Sequence, residues 1–169
     1  MVRKIKFSFV KPFLTVIVMV LVSVSGYSQN NPVFRIYENS SQQSLKSSSK
    51  QNFPEELLHG NNPTIYMANG DMTTITGPTK PLVLRADQTS LTALCTRDQL
   101  YSKVELITIK LNNITELNTP FDVGNIRGFS SLKYIYINCA FECTDQQISN
   151  FIINADPELI IYYKVLSKS

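Results

Sequence analysis

The sequence predicts an α/β fold: a short parallel-stranded repeat stack with helices on one face and an N-terminal β-hairpin cap. Three observations predict it. β-prone runs recur in the C-terminal half at intervals of 23 to 28 residues. A polar stretch containing a threonine follows three of these runs and is typical of a helix start. Upstream, an Asn-Gly pair lies between two β-prone runs, which is typical of a hairpin.

Residues 1–28 have the layout of a secretory signal peptide: a basic start, an apolar run and the small residues Gly26 and Ser28. The apolar run, residues 13–24, is about 12 residues long, whereas a membrane-spanning helix needs roughly 20. We therefore expect a secreted or periplasmic protein, cleaved after Ser28, with no membrane span in the mature chain. A retained membrane anchor is the alternative.

Removing this leader changes the charge of the protein. The whole chain has 16 basic and 13 acidic side chains. Four of the basic ones lie in the leader, so the mature chain has 12 against 13, a net charge of −1. Nothing in this balance favours a nucleic-acid partner.

Residues 29–54 are rich in Ser and Gln and predict a flexible segment, because they hold too little apolar area to offset the entropy of ordering. A short strand near residues 33–37 is an alternative at its start. Residues 55–169 are then expected to form one globular domain. It would begin with a short amphipathic helix, in which two glutamates precede two leucines at residues 55–58.

The hairpin is predicted around Asn69-Gly70, with strands near 64–68 and 71–76. A type I′ turn needs a positive φ at both central residues, which Asn and Gly tolerate best.

From residue 81 onward the chain divides into four units, which begin at Pro81, Val104, Leu132 and Glu158. We number the places within a unit from its first residue. Period-two alternation puts places 4 and 6 on one face of each strand. The residues at these places are Leu84 and Ala86, Ile107 and Ile109, Ile135 and Ile137, Ile161 and Tyr163.

Helix starts are predicted at Thr96 and Thr144, in the similar stretches CTRDQL and CTDQQI. Each threonine has a glutamine three residues later, which is the pattern of a capping box. Thr119, followed by proline, predicts a third start. Strands separated by helices at this spacing favour parallel pairing through right-handed crossovers.

The units resemble the leucine-rich repeat, whose pattern has apolar residues at places 1, 4, 6, 11 and 14 and Asn or Cys at place 9. The likeness covers about residues 81–165. The second unit fits throughout, whereas the first and third fit in part, with Thr89 and Ala140 at place 9, and the fourth stops after its strand. The residues of the second unit that fit are Val104, Ile107, Ile109, Asn112, Ile114 and Leu117.

The resemblance implies an open sheet face on which places 3, 5 and 7 point outward. A face rich in tyrosine suits a protein or glycan partner, because tyrosine combines broad apolar contact with one hydrogen bond. The alternative is a cross-strand ladder that stabilises the sheet and is covered by residues 29–80. The candidate ligand-face residues are Tyr134, Tyr136, Tyr162, Thr108, Lys110 and Arg85.

Three cysteines leave the disulfide state open. Cys139 and Cys143 could pair across the loop that leaves the third strand; unpaired thiols or a bond between chains are the alternatives. With one histidine in the chain, we expect no metal site, and we expect no cofactor and no enzymatic activity. The sequence therefore predicts a secreted or periplasmic binding module. A small structural or inhibitor-like envelope protein without a ligand face is the second hypothesis.

Overall fold

The computed structural model describes residues 31–37 and 53–166. The strands are β1 (Val33–Ile36), β2 (Thr64–Ala68), β3 (Asp71–Ile75), β4 (Val83–Asp87), β5 (Leu106–Leu111), β6 (Phe121–Asp122), β7 (Tyr134–Cys139), β8 (Ile152–Ile153) and β9 (Ile160–Val165). The α-helices are α1 (Glu55–His59) and α2 (Asp145–Phe151), and 3-10 helices span Gln88–Cys95, Gln99–Lys103, Ile114–Asn118 and Val123–Asn125. The predicted leader lies outside the described residues.

Seven strands form one mixed sheet in the order β1-β9-β7-β5-β4-β2-β3. All neighbouring pairs are parallel except β2 and β3, which form an antiparallel hairpin. From β2 through β4, β5 and β7 to β9, the strands lie side by side in chain order. The α/β class and the parallel pairing of the four predicted runs are confirmed.

The register of the central strands aligns the predicted core places. Leu84 lies opposite Ile107, Ile107 opposite Ile135, and Ile135 opposite Ile161. All four are at most 1% exposed. A slip of one residue would turn every one of these side chains to the other face, so the apolar pattern itself fixes the register.

The hairpin is confirmed at the predicted turn. Asn69 and Gly70 have φ values of 56° and 87°, as a type I′ turn requires. The same two turn residues also contact the first repeat unit. The Asn69 backbone N–H donates to the Asp87 carboxylate, and the Gly70 backbone N–H donates to the Ser90 hydroxyl.

Of the three predicted helix starts, only Thr144 is confirmed. Its hydroxyl accepts from the Gln147 N–H, and the Gln147 side chain accepts from the Thr144 N–H, which completes the capping box before α2. Thr96 instead ends a 3-10 helix, and the next one is capped by Asp98. Thr119 ends another 3-10 helix, so its prediction is also wrong.

The main core lies on the face of the sheet that carries places 4 and 6. It includes Ile148 and Phe151 of α2, which are fully buried there. A second, two-stranded parallel sheet of β6 and β8 adds to this layer, with Phe121 buried. The connections between the strands thus supply one apolar layer of the domain.

The N-terminal strand β1 pairs in parallel with β9, the last strand of the chain. Within residues 29–54, which are predicted to be flexible, the short strand stated as an alternative is present, because residues 33–36 belong to the main sheet. Residues 38–52 of that segment lie outside the described residues. β1 also covers the edge of β9 that faces away from β7.

No helix within residues 31–37 and 53–166 is long and apolar enough to cross a membrane.

Candidate functional site

One transverse row of side chains crosses the sheet on the face opposite the main core. Successive strands place its members in register from β1 to β2. We call this the fifth-place row, because it contains place 5 of all four units. It consists of Phe34, Tyr162, Tyr136, Thr108, Arg85 and Tyr66.

The centre of the fifth-place row is covered by the segment around α1. The Phe53 ring meets the Tyr162 ring edge-on, with centroids 4.9 Å apart, and lies 5.9 Å from the Tyr136 ring. Leu58 of α1 is buried in the same cluster. Tyr136 is 4% exposed and Tyr162 3% exposed, so the expectation that these two tyrosines form an open face is wrong in this structure.

The apolar character of place 3 accounts for this cover. Val83 and Leu106 point to the same face as the fifth-place row and are fully buried. Parallel sheets usually have both faces covered, because their strands are apolar on both sides. The run of apolar residues at place 3 was the signal in the sequence; that Phe53 and Leu58 are the covering residues could not be read from it.

Three polar atoms beneath this cover have no hydrogen-bond partner among the described residues: Arg85 Nε, Thr108 Oγ1 and Tyr162 OH. Thr108 is 7% exposed. Arg85 is anchored by its other end, where Nη2 donates to the Leu58 carbonyl at 3.0 Å. All three unpartnered atoms carry a proton to donate.

Tyr134, the third tyrosine of the predicted face, lies at its margin. It is half-buried, and its ring is 6.4 Å from that of Tyr162. Tyr66, at the far end of the row, is 36% exposed, with the Arg85 guanidinium 5.9 Å from its ring. Tyr66 was not among the predicted residues, because the hairpin was interpreted only as a cap.

A second row, at place 7, lies on the same face beyond the covered centre. Its register runs from Asp87 through Lys110 and Asn138 to Lys164. Lys110 is exposed, whereas the other three are half-buried. We call these residues the seventh-place row.

Asp87 is occupied by local structure. Burial raises its pKa, but hydrogen bonds from Ser90, Asn69 and Thr89 outweigh burial and lower it from the usual value. The carboxylate caps the 3-10 helix that follows β4. The exposed charge of the seventh-place row is therefore that of Lys110.

Cys139 and Cys143 come together on the other face, at the carboxyl end of β7. All three cysteines are free thiols in this structure; Cys139 and Cys143 are buried, and Cys95 is exposed. The thiols of Cys139 and Cys143 are hydrogen-bonded to each other. This bond, with burial, raises the pKa of Cys139, and the same bond lowers the pKa of Cys143.

Charged and aromatic groups surround this pair. Arg35 of β1 forms an ion pair with Glu142 at 3.0 Å, and its guanidinium lies 5.9 Å from the Tyr163 ring. Tyr163 donates a hydrogen bond to Asp145 at 2.5 Å. Burial, followed by this hydrogen bond, raises the pKa of Tyr163 well above its usual value.

A groove of about 1100 Å³ lies near the amino ends of the strands. Its lining includes three basic side chains (Lys80, Arg97, Arg127) and three acidic ones (Asp98, Asp156, Glu158). Such a balance of charge gives no preference for a ligand of either sign. His59, the one histidine, lies elsewhere, 3.6 Å from Glu55 on the exposed side of α1. Within the described residues, no group of three or more His, Cys, Asp or Glu could hold a metal ion.

Comparison with protein-family models, curated proteins and solved structures finds no match to this chain. The interpretation of the two rows depends on their own geometry.

Proposed function

We propose that this chain is an exported, non-catalytic binding module, built as a short stack that resembles the leucine-rich repeat. The observation that carries the proposal is the register of the sheet. Side chains from units that follow one another in the chain lie in straight rows across one face. Repeat stacks use such rows to present an extended binding surface.

The stack proposed here is irregular. Asn112 and Ile114 occupy places 9 and 11 of the unit that fits the family pattern best, yet both are exposed. 3-10 helices connect most of the strands, and one α-helix, α2, connects β7 towards β9. The hairpin of β2 and β3 would then serve as the cap at one end, and β1 would close the other.

The proposed contact surface is the seventh-place row together with the exposed ends of the fifth-place row. Lys110 supplies exposed positive charge on this surface, and Asn138 and Tyr66 supply polar and aromatic contact. The covered tyrosines, Tyr136 and Tyr162, stabilise the sheet that carries this surface. Such a surface favours a protein or glycan partner that presents carboxylates or other hydrogen-bond acceptors.

A charge-reversal experiment tests this surface. The immobilised full chain is incubated with extract from the native envelope, cross-linked, and the captured species are identified. We expect Lys110→Glu to lose a partner that the wild-type chain captures, and Lys103→Glu to retain it. Lys103 is the matched control, because it is also exposed but lies in a 3-10 helix away from the row. Equal thermal melting of both variants and loss of the partner from both would contradict the proposal.

One observation favours a second function, a small structural or inhibitor-like envelope protein. Tyr136 and Tyr162 are buried by the chain's own segment, as a stabilising ladder requires. Under this alternative, Lys110→Glu changes neither stability nor capture, and the sheet has no partner of its own.

A further inference from the structure

We propose that Cys139 and Cys143 are a modification site: they form an intramolecular disulfide that fastens the end of β7 to the start of α2. The proposal stands apart from the binding function, since it requires only exposure to a disulfide oxidant.

The backbone already holds the two residues together. Cys139 is the last residue of β7, and Cys143 immediately precedes Thr144, which caps α2. The Ala140 N–H donates to Leu111 on the neighbouring strand, so the chain is fixed as it leaves β7. The capping box fixes it again as it enters α2. The intervening loop is thus anchored at both ends, and both cysteines belong to the same buried core.

Burial makes this pair different from the third cysteine. Cys139 is 0% and Cys143 4% exposed, in the main core, whereas Cys95 is exposed on the 3-10 helix after β4. A disulfide between the two core residues adds no polar group that needs a partner. Cys95 follows β4, which lies two strands away from β7 in the sheet.

The surroundings distinguish the roles of the two thiols. The hydrogen bond from Cys139 and the positive charge of Arg35 lower the pKa of Cys143, against burial and the nearby carboxylates of Glu142 and Asp145. When the loop between β7 and α2 opens, Cys143 loses its proton to solvent and attacks a small-molecule disulfide such as oxidised glutathione. One thiolate of the oxidant leaves, and a mixed disulfide forms on Cys143. Cys139 then loses its proton and attacks the Cys143 sulfur, which releases the second thiolate. The protein loses two hydrogen atoms and two electrons, and the oxidant becomes two thiols.

The bond would also tie down the N-terminal strand. Glu142 lies in the loop between the two cysteines and pairs with Arg35 of β1 at 3.0 Å. Fixing the loop limits the positions that Glu142 can adopt. The disulfide therefore supports the strand that covers the edge of β9.

Mass spectrometry of the full chain tests the proposal. The protein is incubated with oxidised glutathione, unfolded, alkylated with iodoacetamide and digested with trypsin. Both cysteines fall in one peptide, residues 134–164, and Cys95 falls in another, residues 86–97. We expect the first peptide to be unalkylated and lighter by two hydrogen atoms, and the second to carry an alkyl group or glutathione on Cys95. Alkylation of both Cys139 and Cys143, or a bond from either to Cys95, would overturn the proposal.

A melting experiment gives a second test that does not require the mass shift. We expect oxidation to raise the Tm of the wild-type chain by about 5 °C, because a short loop is closed in the unfolded state. Cys95→Ser should keep this shift, and Cys143→Ser should lose it. An equal Tm before and after complete oxidation of the pair would show that the disulfide does not stabilise the junction between β7 and α2, and would contradict the proposal.

Discussion

Tyr162 and Tyr163 are neighbours in β9 whose hydroxyl groups have opposite environments. Tyr162 belongs to the fifth-place row, and its hydroxyl is buried there with no hydrogen-bond partner among the described residues. Tyr163 points to the main core, and its hydroxyl donates to Asp145 at 2.5 Å. Replacing each by phenylalanine removes one oxygen atom and leaves the ring in place. The two substitutions should therefore change stability in opposite directions.

The magnitudes follow from what each hydroxyl loses on folding. A buried hydroxyl without a partner costs about 1 to 3 kcal/mol, so Tyr162→Phe should raise the free energy of unfolding by about 1 kcal/mol. A hydrogen bond to a charged group contributes about 1.5 to 3 kcal/mol. Asp145 is exposed and regains water when the bond is lost, so Tyr163→Phe should lower the free energy of unfolding by about 1.5 kcal/mol. The two variants should differ by about 2.5 kcal/mol.

Urea unfolding followed by far-ultraviolet circular dichroism measures this difference at pH 7 for each variant and the wild-type chain. Equal m-values would show that both variants unfold from the same folded state. If Tyr162→Phe lowers the free energy of unfolding by more than about 1 kcal/mol, its hydroxyl has a partner and the description of the covered row is wrong.

Three further substitutions are checked by the same unfolding measurement. Phe53→Ala should cost about 2 kcal/mol, because it removes ring contacts on two tyrosines as well as apolar burial, whereas the control Ile114→Ala, at a residue that is 50% exposed, should cost under about 0.5 kcal/mol; equal costs would mean that the cover does not pack. Thr144→Ala should cost about 1 kcal/mol and Thr96→Ala much less, since only the first caps a helix; the reverse order would contradict the observed helix start. Asp87→Asn should cost about 1 kcal/mol at neutral pH, because both carboxylate oxygens accept hydrogen bonds and an amide nitrogen cannot replace either. The folded pKa of Asp87 lies below the unfolded value of 3.8, so its contribution is complete above that pH and is lost as pH falls through the folded pKa. The cost of Asp87→Asn should therefore shrink in acid, and a cost that grew there would refute the sign.

The strands were predictable because their signals are local. Period-two alternation identifies the buried face of each run, and repetition at similar intervals aligns one run with the next. Asn69-Gly70 likewise fixes its turn through backbone preference alone. Each of these signals depends on neighbouring residues, so distant parts of the chain do not override it.

The helix starts show where local signals compete. CTRDQL and CTDQQI both contain a threonine with a glutamine three residues later. Only Thr144 is followed by an apolar stripe, and burial of that stripe in the main core stabilises α2. After Thr96, Asp98 caps a 3-10 helix of five residues that reaches directly toward β5. A 3-10 helix rises about 2.0 Å per residue against 1.5 Å for an α-helix, so it spans a given distance with fewer residues. The short connection from Thr96 to β5 therefore favours a 3-10 helix over an α-helix.

A covered face was one of the two alternatives that the sequence left open, but the residues that cover it could not be predicted, because they depend on contacts between distant segments. β1 pairs with a strand more than a hundred residues later, and Phe53 lies on tyrosines of two other units. The apolar residues at place 3 indicate that something covers this face, but they do not identify it. The polar residues at place 7 remained where the sequence placed them, since the parity of a strand determines which face they point to.

The parallel, in-order arrangement of the units is the claim on which the two rows depend, and a zero-length cross-link tests it most directly. Lys133 Nζ lies 2.8 Å from Glu105 Oε2, and these residues directly precede β7 and β5. We predict that a carbodiimide joins the tryptic peptide 104–110 to the peptide that contains Lys133, and that Glu105→Gln abolishes this product. In an antiparallel pair the same residues would be separated by the length of a strand, about 20 Å. Cross-linking of Lys133 to other carboxylates, with Glu105 left unmodified, would contradict the account.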